Sequence, residues 1–270
     1  MSNPAISENN EMILKAEDTH HDVGIVGLWF GLNYGSILTY YALYDVVKSM
    51  GYSAIMVNKP EVLWRPRYAE KDTVANKFIY RYCDNNVTQC YHSSMDYKVL
   101  NKNCDTFIVG SDVVWHYQIC GREAGQFFFL DFVNDDKKKI AMASSFGSGY
   151  EGPEEDRMWS EHFMKKFDYI GVREDEAVAI CQDTFHCHAD KIMDPVFLCK
   201  RQVYHDLAAQ SSVHEDKKYI SSYFLGPGEI KAQLFLKIAE ILGCEYRCLP
   251  NPNNPENFTK KTGQIGRAHV

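Results

Sequence analysis

The sequence predicts an α/β protein: a Rossmann-like lobe with a parallel sheet, followed by the incomplete start of a second Rossmann-like lobe. Between residues 23 and 57, an apolar run, a glycine-bounded loop, a helical segment and a second apolar run follow one another. This order is typical of a β-α-β unit. Short apolar runs alternate with helical segments again after residue 104, and such units form parallel sheets covered by helices.

The first unit contains a short buried strand and an amphipathic helix. Residues 23–29 are apolar and short enough to form that strand. Residues 36–50 are predicted to be helical because apolar side chains recur there at the spacing of one helix face. Gly51 follows in the position where glycine ends many helices, and residues 53–57 form the next strand.

The loop between this strand and this helix is a candidate ligand site. Open α/β sheets bind ligands beyond the carboxyl ends of their strands, and a helix N-terminus favours an anion. The residues expected to meet an anion here are Asn33, Tyr34, Gly35 and Ser36. In the alternative interpretation, Gly31 and Gly35 only form a tight turn and Ser36 only caps the helix. The loop has G-x-x-x-G, not the G-x-G-x-x-G of a dinucleotide site.

Further strands follow an elaborated connection in the middle of the chain. Residues 59–103 form that connection, with helical stretches predicted at 72–82 and 95–100. Three apolar runs after it are interpreted as strands or edge segments: residues 106–109, 127–133 and 139–145.

Polar and aromatic residues come directly after two of these runs. Asp112 is a candidate to accept a proton or to bind a sugar hydroxyl, and Trp115 to offer a sugar ring an apolar face. Ser111 lies beside them in the sequence, and Ser145 ends the run at 139–145. The alternative is a Ser-Asp turn with a core tryptophan, and a Gly-Ser loop without a function.

A charged pair follows the next predicted strand. A helix is predicted at 153–166 and a strand at 169–172, after which come Arg173 and Glu174. Arg173 is a candidate clamp for a carboxylate or phosphate. Alternatively, it pairs with Glu174 or a neighbouring acid and only orders the loop. The segment Met193-Asp194-Pro195 is interpreted as the end of a last short strand.

The chain divides into five segments. The lobe that carries the candidate residues is followed by a linker and by a strand, a helix and a strand that begin a second lobe. The last six residues resemble a translated sequencing adapter and are excluded from the fold. The segments are a flexible lead-in (1–22), the first lobe (23–198), the linker (199–217), the partial second lobe (218–264) and the tail (265–270).

Composition excludes several classes of protein. The net charge is −7, with 29 Lys and Arg against 36 Asp and Glu, which argues against nucleic-acid binding. No apolar run approaches the roughly 18 residues of a membrane span, and with no signal peptide a cytoplasmic location is expected. The segment CQDTFHCH, with Cys181 and Cys187, lacks the paired C-x₂₋₄-C spacing of structural zinc, so no metal is predicted.

Five segments resemble the polysaccharide pyruvyl transferase family. They are, in order, NYGSILTYYAL, DTFIVGSDVVW, FFLDFV followed by KIAMASSFG, FDYIGVRE, and MDPVFL. The resemblance covers residues 23–198. It implies two Rossmann-like lobes, in the manner of GT-B glycosyltransferases, with a site in the cleft between them. The family's serine-phenylalanine-histidine-glycine stretch is absent from this sequence, as expected for a gene that is cut short.

The resemblance also implies a reaction. A pyruvyl group passes from phosphoenolpyruvate to two hydroxyls of a sugar acceptor, which can be lipid-linked, without a cofactor. The loop at residues 33–36 is then expected to meet an anion, Arg173 to hold one, and Asp112 or Glu174 to act as base. Two alternatives remain, a glycosyltransferase that uses a nucleotide sugar and a non-catalytic sugar-binding protein. The chain as written is expected to be inactive alone.

Overall fold

The computed structural model describes residues 18–30, 33–61, 74–211, 217–223 and 229–249. These residues form a six-stranded parallel sheet and a second, two-stranded parallel sheet. No helix within these ranges is both long enough and apolar enough to cross a bilayer. Most of the predicted lead-in and the whole of the predicted tail at 265–270 lie outside the described residues, as does Gly31.

The strands and helices alternate along the chain. The strands are β1 (His21–Val26), β2 (Ala54–Val57), β3 (Cys104–Val109), β4 (Lys138–Ser144), β5 (Tyr169–Val172), β6 (Asp190–Lys191), β7 (Tyr219–Tyr223) and β8 (Glu245–Leu249). The helices are α1 (Tyr34–Ser49), α2 (Val74–Tyr82), α3 (Tyr117–Phe128), α4 (Glu154–Met164), α5 (Asp175–Asp183), α6 (Arg201–Ala209) and α7 (Glu229–Leu242). Among the described residues, 3₁₀ helices span Ser94–Lys102 and Pro195–Phe197.

The large sheet has the strand order β2-β1-β3-β4-β5-β6. The order reverses between β1 and β3, because the chain moves to one side of β1 to form β2 and to the other side to form β3. In open parallel sheets, such a reversal opens a crevice at the carboxyl ends of the two strands, where ligands bind. The predicted α/β fold with a parallel sheet is therefore confirmed, and the reversal marks the edge at which sheets of this kind bind ligands.

One side chain fixes α1 against that edge. Tyr40 of α1 is fully buried, and its ring fills the space that the missing side chains of Gly27 and Gly110 leave. A Cβ atom at Gly27 would lie 1.8 Å from the Tyr40 hydroxyl oxygen, and one at Gly110 would lie 2.3 Å from a carbon of the Tyr40 ring. The Tyr40 hydroxyl donates to the carbonyl of Ser111 at 2.6 Å. Helix α1 is thereby held against the ends of β1 and β3.

Several predicted boundaries shift by a few residues. Strand β1 takes in His21 and Asp22 of the predicted lead-in and ends at Val26, three residues before Trp29. Gly51 has φ +91° after the end of α1, as a helix-terminating glycine should. The last strand of the sheet is only two residues long, and Met193-Asp194-Pro195 follows it without belonging to it.

The interpretation of residues 127–133 as a strand is wrong. Phe127 and Phe128 end α3, and the residues after them form a turn in which Leu130 has φ +57°. The phenylalanines of this run are buried in the core. A continuous apolar run indicates burial, but it does not distinguish a strand from the buried end of a helix.

The second sheet contains the predicted strand, helix and strand. Strands β7 and β8 pair in parallel, with α7 between them in the chain. The exposed fractions of Leu234, Ile241 and Leu242 on α7 are 57%, 83% and 63%. Within the described residues this region contains two strands and one helix, so the GT-B-like architecture remains a prediction.

We expect the second sheet to open more readily than the first. A two-stranded sheet is marginally stable, and the exposed leucine and isoleucine of α7 contribute little burial. Amides of residues 217–223 and 229–249 should therefore exchange with deuterium much faster than those of β1, β3 and β4. Mass spectrometry of peptides from the exchanged protein measures this difference, and equal protection in both sheets would contradict it.

We also expect Gly110→Ala to destabilise the protein by about 1–3 kcal/mol, because the new methyl group overlaps the buried Tyr40 ring. Gly125→Ala in α3 is the matched control, since outside the backbone of its own helix the nearest neighbour of the new Cβ would be a Phe129 ring carbon at 3.9 Å. Urea unfolding measures both. Equal stability of the two variants would show that Tyr40 does not constrain this edge.

Candidate functional site

The candidate site lies at the carboxyl edge of the large sheet, where the strand order reverses. The Ser36 hydroxyl, in the first turn of α1, donates to the Asp112 carboxylate at 2.5 Å. Asp112 follows β3, so the contact joins the two sides of the reversal. The start of α1 and the loop after β3 therefore lie against each other.

Asn33, not Ser36, caps α1. The Asn33 side chain accepts from the amides of Gly35 at 3.0 Å and Ser36 at 3.5 Å. Asparagine is among the best N-cap residues because its side-chain oxygen satisfies these otherwise free N–H groups. Two of the amides that the sequence analysis assigned to an anion are therefore occupied. The Tyr34 ring meets the ring of Tyr223 edge to face, with centroids 6.1 Å apart.

Asp112 is held in a strained backbone conformation. Its φ is +92°, in a region that residues other than glycine rarely adopt. Its carbonyl accepts from the amide of Ser145 at 3.0 Å, and its carboxylate accepts from the amide of Val113 at 2.8 Å. Strain of this kind persists where the surrounding structure enforces it and is concentrated at functional sites.

Ser145 shapes the loop after β4. The register between β4 and β5 shifts near Ala143, whose φ is +57°, as in a bulge that redirects the chain. The Ser145 side chain is fully buried, and its hydroxyl accepts from the amide of Gly147 at 2.9 Å. Ser145 therefore contacts Asp112 through its backbone amide. Its hydroxyl stabilises the loop after β4.

Trp115 does not line the site. Its side chain is 1% exposed and stacks on Phe129, with ring centroids 5.6 Å apart. Its indole N–H donates to the carbonyl of Phe128 at 3.2 Å. The prediction that Trp115 offers a face to a sugar ring is wrong, and the alternative of a core tryptophan is what the structure has. A hydrogen bond from the Trp115 amide to the Ser145 carbonyl turns the loop after β3 toward the core.

Arg173 is held by protein groups on two sides. Its Nε donates to a Glu174 oxygen at 2.7 Å, and its Nη1 donates to the Ser111 hydroxyl at 3.4 Å. Burial disfavours its charge, but the hydrogen bond to Glu174 and two further nearby carboxylates outweigh burial and raise the pKa of Arg173. The pairing with Glu174 that the sequence left open is present, and the guanidinium remains charged.

Glu174 is engaged through one oxygen only. Its Oε2 is buried and has no hydrogen-bond partner within the described ranges. Buried polar atoms are nearly always satisfied, so an exception needs an explanation. A ligand hydroxyl or a water at this edge of the sheet would satisfy it.

Asp194 is the site residue that the sequence analysis missed. One of its oxygens accepts from the Thr39 hydroxyl at 3.2 Å and from the Val196 amide at 3.0 Å. The other accepts from the Ser111 hydroxyl at 2.6 Å and lies 3.6 Å from Nη1 of Arg173. The available signal was a carboxylate after the sixth strand, placed before a proline as helix caps often are.

A comparison with protein families decides the class of the chain. The family model described as polysaccharide pyruvyl transferase matches residues 33–264, most of the chain. The chain belongs to the polysaccharide pyruvyl transferase family. The match begins at the cap of α1, contains Asp112, Arg173 and Asp194, and extends beyond Leu198, where the resemblance in the sequence analysis ended. No curated protein matches the chain in a sequence search.

Family membership indicates a transferase with a pyruvyl transferase-like function. The residues that the structure brings together at the carboxyl edge are polar and charged: Ser36, Ser111, Asp112, Arg173, Glu174 and Asp194. They come from α1 and from the ends of β3, β5 and β6, so no short sequence motif contains them all.

Potential metal ligands lie elsewhere. Within the described residues, His20, Asp22 and Asp105 have ligand atoms within 4.8 Å of one another. They lie at or near the amino ends of β1 and β3, opposite the candidate site, and Asp105 pairs with Lys137 at 3.3 Å. In the segment CQDTFHCH, His186 and His188 each contact a separate carboxylate, those of Glu161 and Asp190 respectively.

Proposed function

We propose that this protein transfers a pyruvyl group from phosphoenolpyruvate to two hydroxyls of a sugar in a surface polysaccharide or its precursor. Family membership supports the reaction class. The observation that carries the proposal is the charged Arg173, anchored beside Asp112 at the edge where open sheets bind ligands. The eight free cysteines within the described residues fit a reducing compartment, and we propose a cytoplasmic location.

The donor's carboxylate is assigned to Arg173. The protein uses its Nε and Nη1, whereas Nη2 has no hydrogen-bond partner in the part of the chain that the structure describes. A guanidinium has five N–H donors in a rigid plane, so this free edge can donate to a carboxylate. The side chain is 34% exposed, which leaves it accessible to a small anion.

The donor's phosphate is assigned to groups outside this cluster. Asp112, Glu174 and Asp194 surround the single guanidinium, so the cluster is negative and disfavours a second strong anion. The amides at the start of α1, which the sequence analysis offered for the phosphate, are largely used by Asn33. The phosphate then needs a cation or a helix N-terminus from another part of the protein.

The base is assigned to Asp112. Ser36 and Val113 orient its carboxylate, and it has no direct hydrogen bond to Arg173 in the described residues. It is therefore better suited than Glu174, which binds Arg173, to take the proton from an attacking sugar hydroxyl. Glu174 then serves to hold the guanidinium through its hydrogen bond to Nε.

Asp112→Asn should lower turnover by roughly 10²-fold or more, because a general base contributes at least that much. An amide has the same shape: its single oxygen can accept from the Val113 amide, and its NH₂ group can donate to the Ser36 hydroxyl, so the loop should be preserved. Phosphate release from phosphoenolpyruvate in catalytically active protein measures the effect. Ser36→Ala is the control: it keeps the carboxylate and should reduce turnover less. Normal turnover in Asp112→Asn would remove Asp112 from the mechanism.

Arg173→Lys should weaken binding of phosphoenolpyruvate about 10- to 100-fold, as expected for the loss of a charge-assisted hydrogen bond of about 1.5–3 kcal/mol. An ammonium group has the charge but cannot reproduce the planar contacts of a guanidinium. Titration calorimetry of this chain measures the affinity. Arg201→Lys, on exposed α6, is the matched control and should bind normally. Equal affinity in both variants would contradict the assignment.

The same titration discriminates between functions. Binding of phosphoenolpyruvate supports pyruvyl transfer, whereas binding of a nucleotide sugar alone would support a glycosyltransferase. Binding of a free sugar with neither donor would support a sugar-binding protein.

We retain the proposal that the chain as written is inactive alone, and phosphate release by this chain would contradict it.

A further inference from the structure

We propose that Asp194 is a positioning residue: it fixes the guanidinium plane of Arg173 so that the free Nη2 edge points to the donor. The inference rests on the proposed function, because it concerns how Arg173 is prepared for an anionic donor. Asp194 contacts neither reacting group in this scheme and acts only through Ser111 and Arg173.

The contact between Asp194 and Arg173 runs through a buried hydroxyl. Ser111 is fully buried, and its hydroxyl donates to Asp194 at 2.6 Å. The Ser111 hydroxyl oxygen also accepts a hydrogen bond from Nη1 of Arg173 at 3.4 Å. A hydroxyl has one proton, so its donation to Asp194 turns a lone pair toward Arg173. The Asp194 carboxylate thus sets the orientation of the Ser111 hydroxyl.

Two anchors at different nitrogens define the guanidinium plane. Glu174 binds Nε at 2.7 Å, and the Ser111–Asp194 pair holds Nη1, with the Asp194 oxygen 3.6 Å from that nitrogen. With Glu174 alone, the group would keep rotational freedom that a ligand has to remove on binding. Fixing this freedom in advance improves affinity without adding a ligand contact.

Asp194 is itself rigidly placed. Thr39 of α1 donates to the Asp194 oxygen that does not bind Ser111. The Asp194 side chain is only 13% exposed. The oxygen that binds Thr39 also caps the 3₁₀ helix Pro195–Phe197 through the Val196 amide. Asparagine caps helices as well as aspartate does, so Asp194→Asn can keep the cap while it removes the charge. This substitution separates a positioning role from a structural one.

The test combines affinity and stability. Asp194→Asn should raise the dissociation constant for phosphoenolpyruvate about tenfold, the effect of about 1.4 kcal/mol, while the urea midpoint stays near that of the parent protein. In the Arg173→Lys background the same substitution should change affinity little, because coupled residues are not additive. Asp183→Asn, an exposed residue at the end of α5, is the control. Additive effects, or unchanged affinity in Asp194→Asn, would overturn the proposal.

A second measurement does not depend on the donor. The Nε–H resonance of Arg173, in spectra of ¹⁵N-labelled protein without ligand, should shift and exchange faster with water in Asp194→Asn. If phosphoenolpyruvate fails to bind the parent chain but this resonance responds, the proposed function fails and the positioning role stands. An identical resonance in the parent and Asp194→Asn would overturn the positioning role itself.

Discussion

The packing of Tyr40 between the ends of β1 and β3 is the constraint on which the candidate site depends. Its ring fills the space beside Gly27 and Gly110, and its hydroxyl binds the backbone of Ser111. Residues within about one turn of Tyr40 on α1 then reach the site: Ser36 contacts Asp112, and Thr39 contacts Asp194. A core contact thus sets the distances between charged groups that are far apart in the sequence.

The same edge of the sheet contains several energetically unfavourable features. Asp112 and Ala143 have positive φ angles, and Glu174 has a buried oxygen without a partner among the described residues. Each such feature costs about 1–3 kcal/mol. A parallel sheet that is buried on both faces can maintain them, and proteins tend to accept such conflicts where they bind or react.

The sequence predicts the β-α-β units and the parallel sheet because short apolar runs and helix periodicity are local signals. It also identifies Ser36, Asp112 and Arg173 as candidate site residues, since each lies at or near a strand's carboxyl end or an adjoining helix start. It does not predict that Trp115 turns into the core, because the hydrogen bond from the Trp115 amide to the Ser145 carbonyl is a tertiary contact. It misses Asp194 for the same reason, because its partners lie 83 and 155 residues away. The run at 127–133 is ambiguous because burial alone does not define backbone conformation.

The most direct test of the central claim is a deuterium-exchange footprint of phosphoenolpyruvate on this chain. If the carboxyl edge of the large sheet is the donor site, protection should concentrate in peptides that contain residues 110–116, 144–147 and 172–175, with little change at the opposite edge near Asp22 and Asp105. Protection that is confined to other parts of the chain, with these loops unchanged at saturating ligand, would contradict the account.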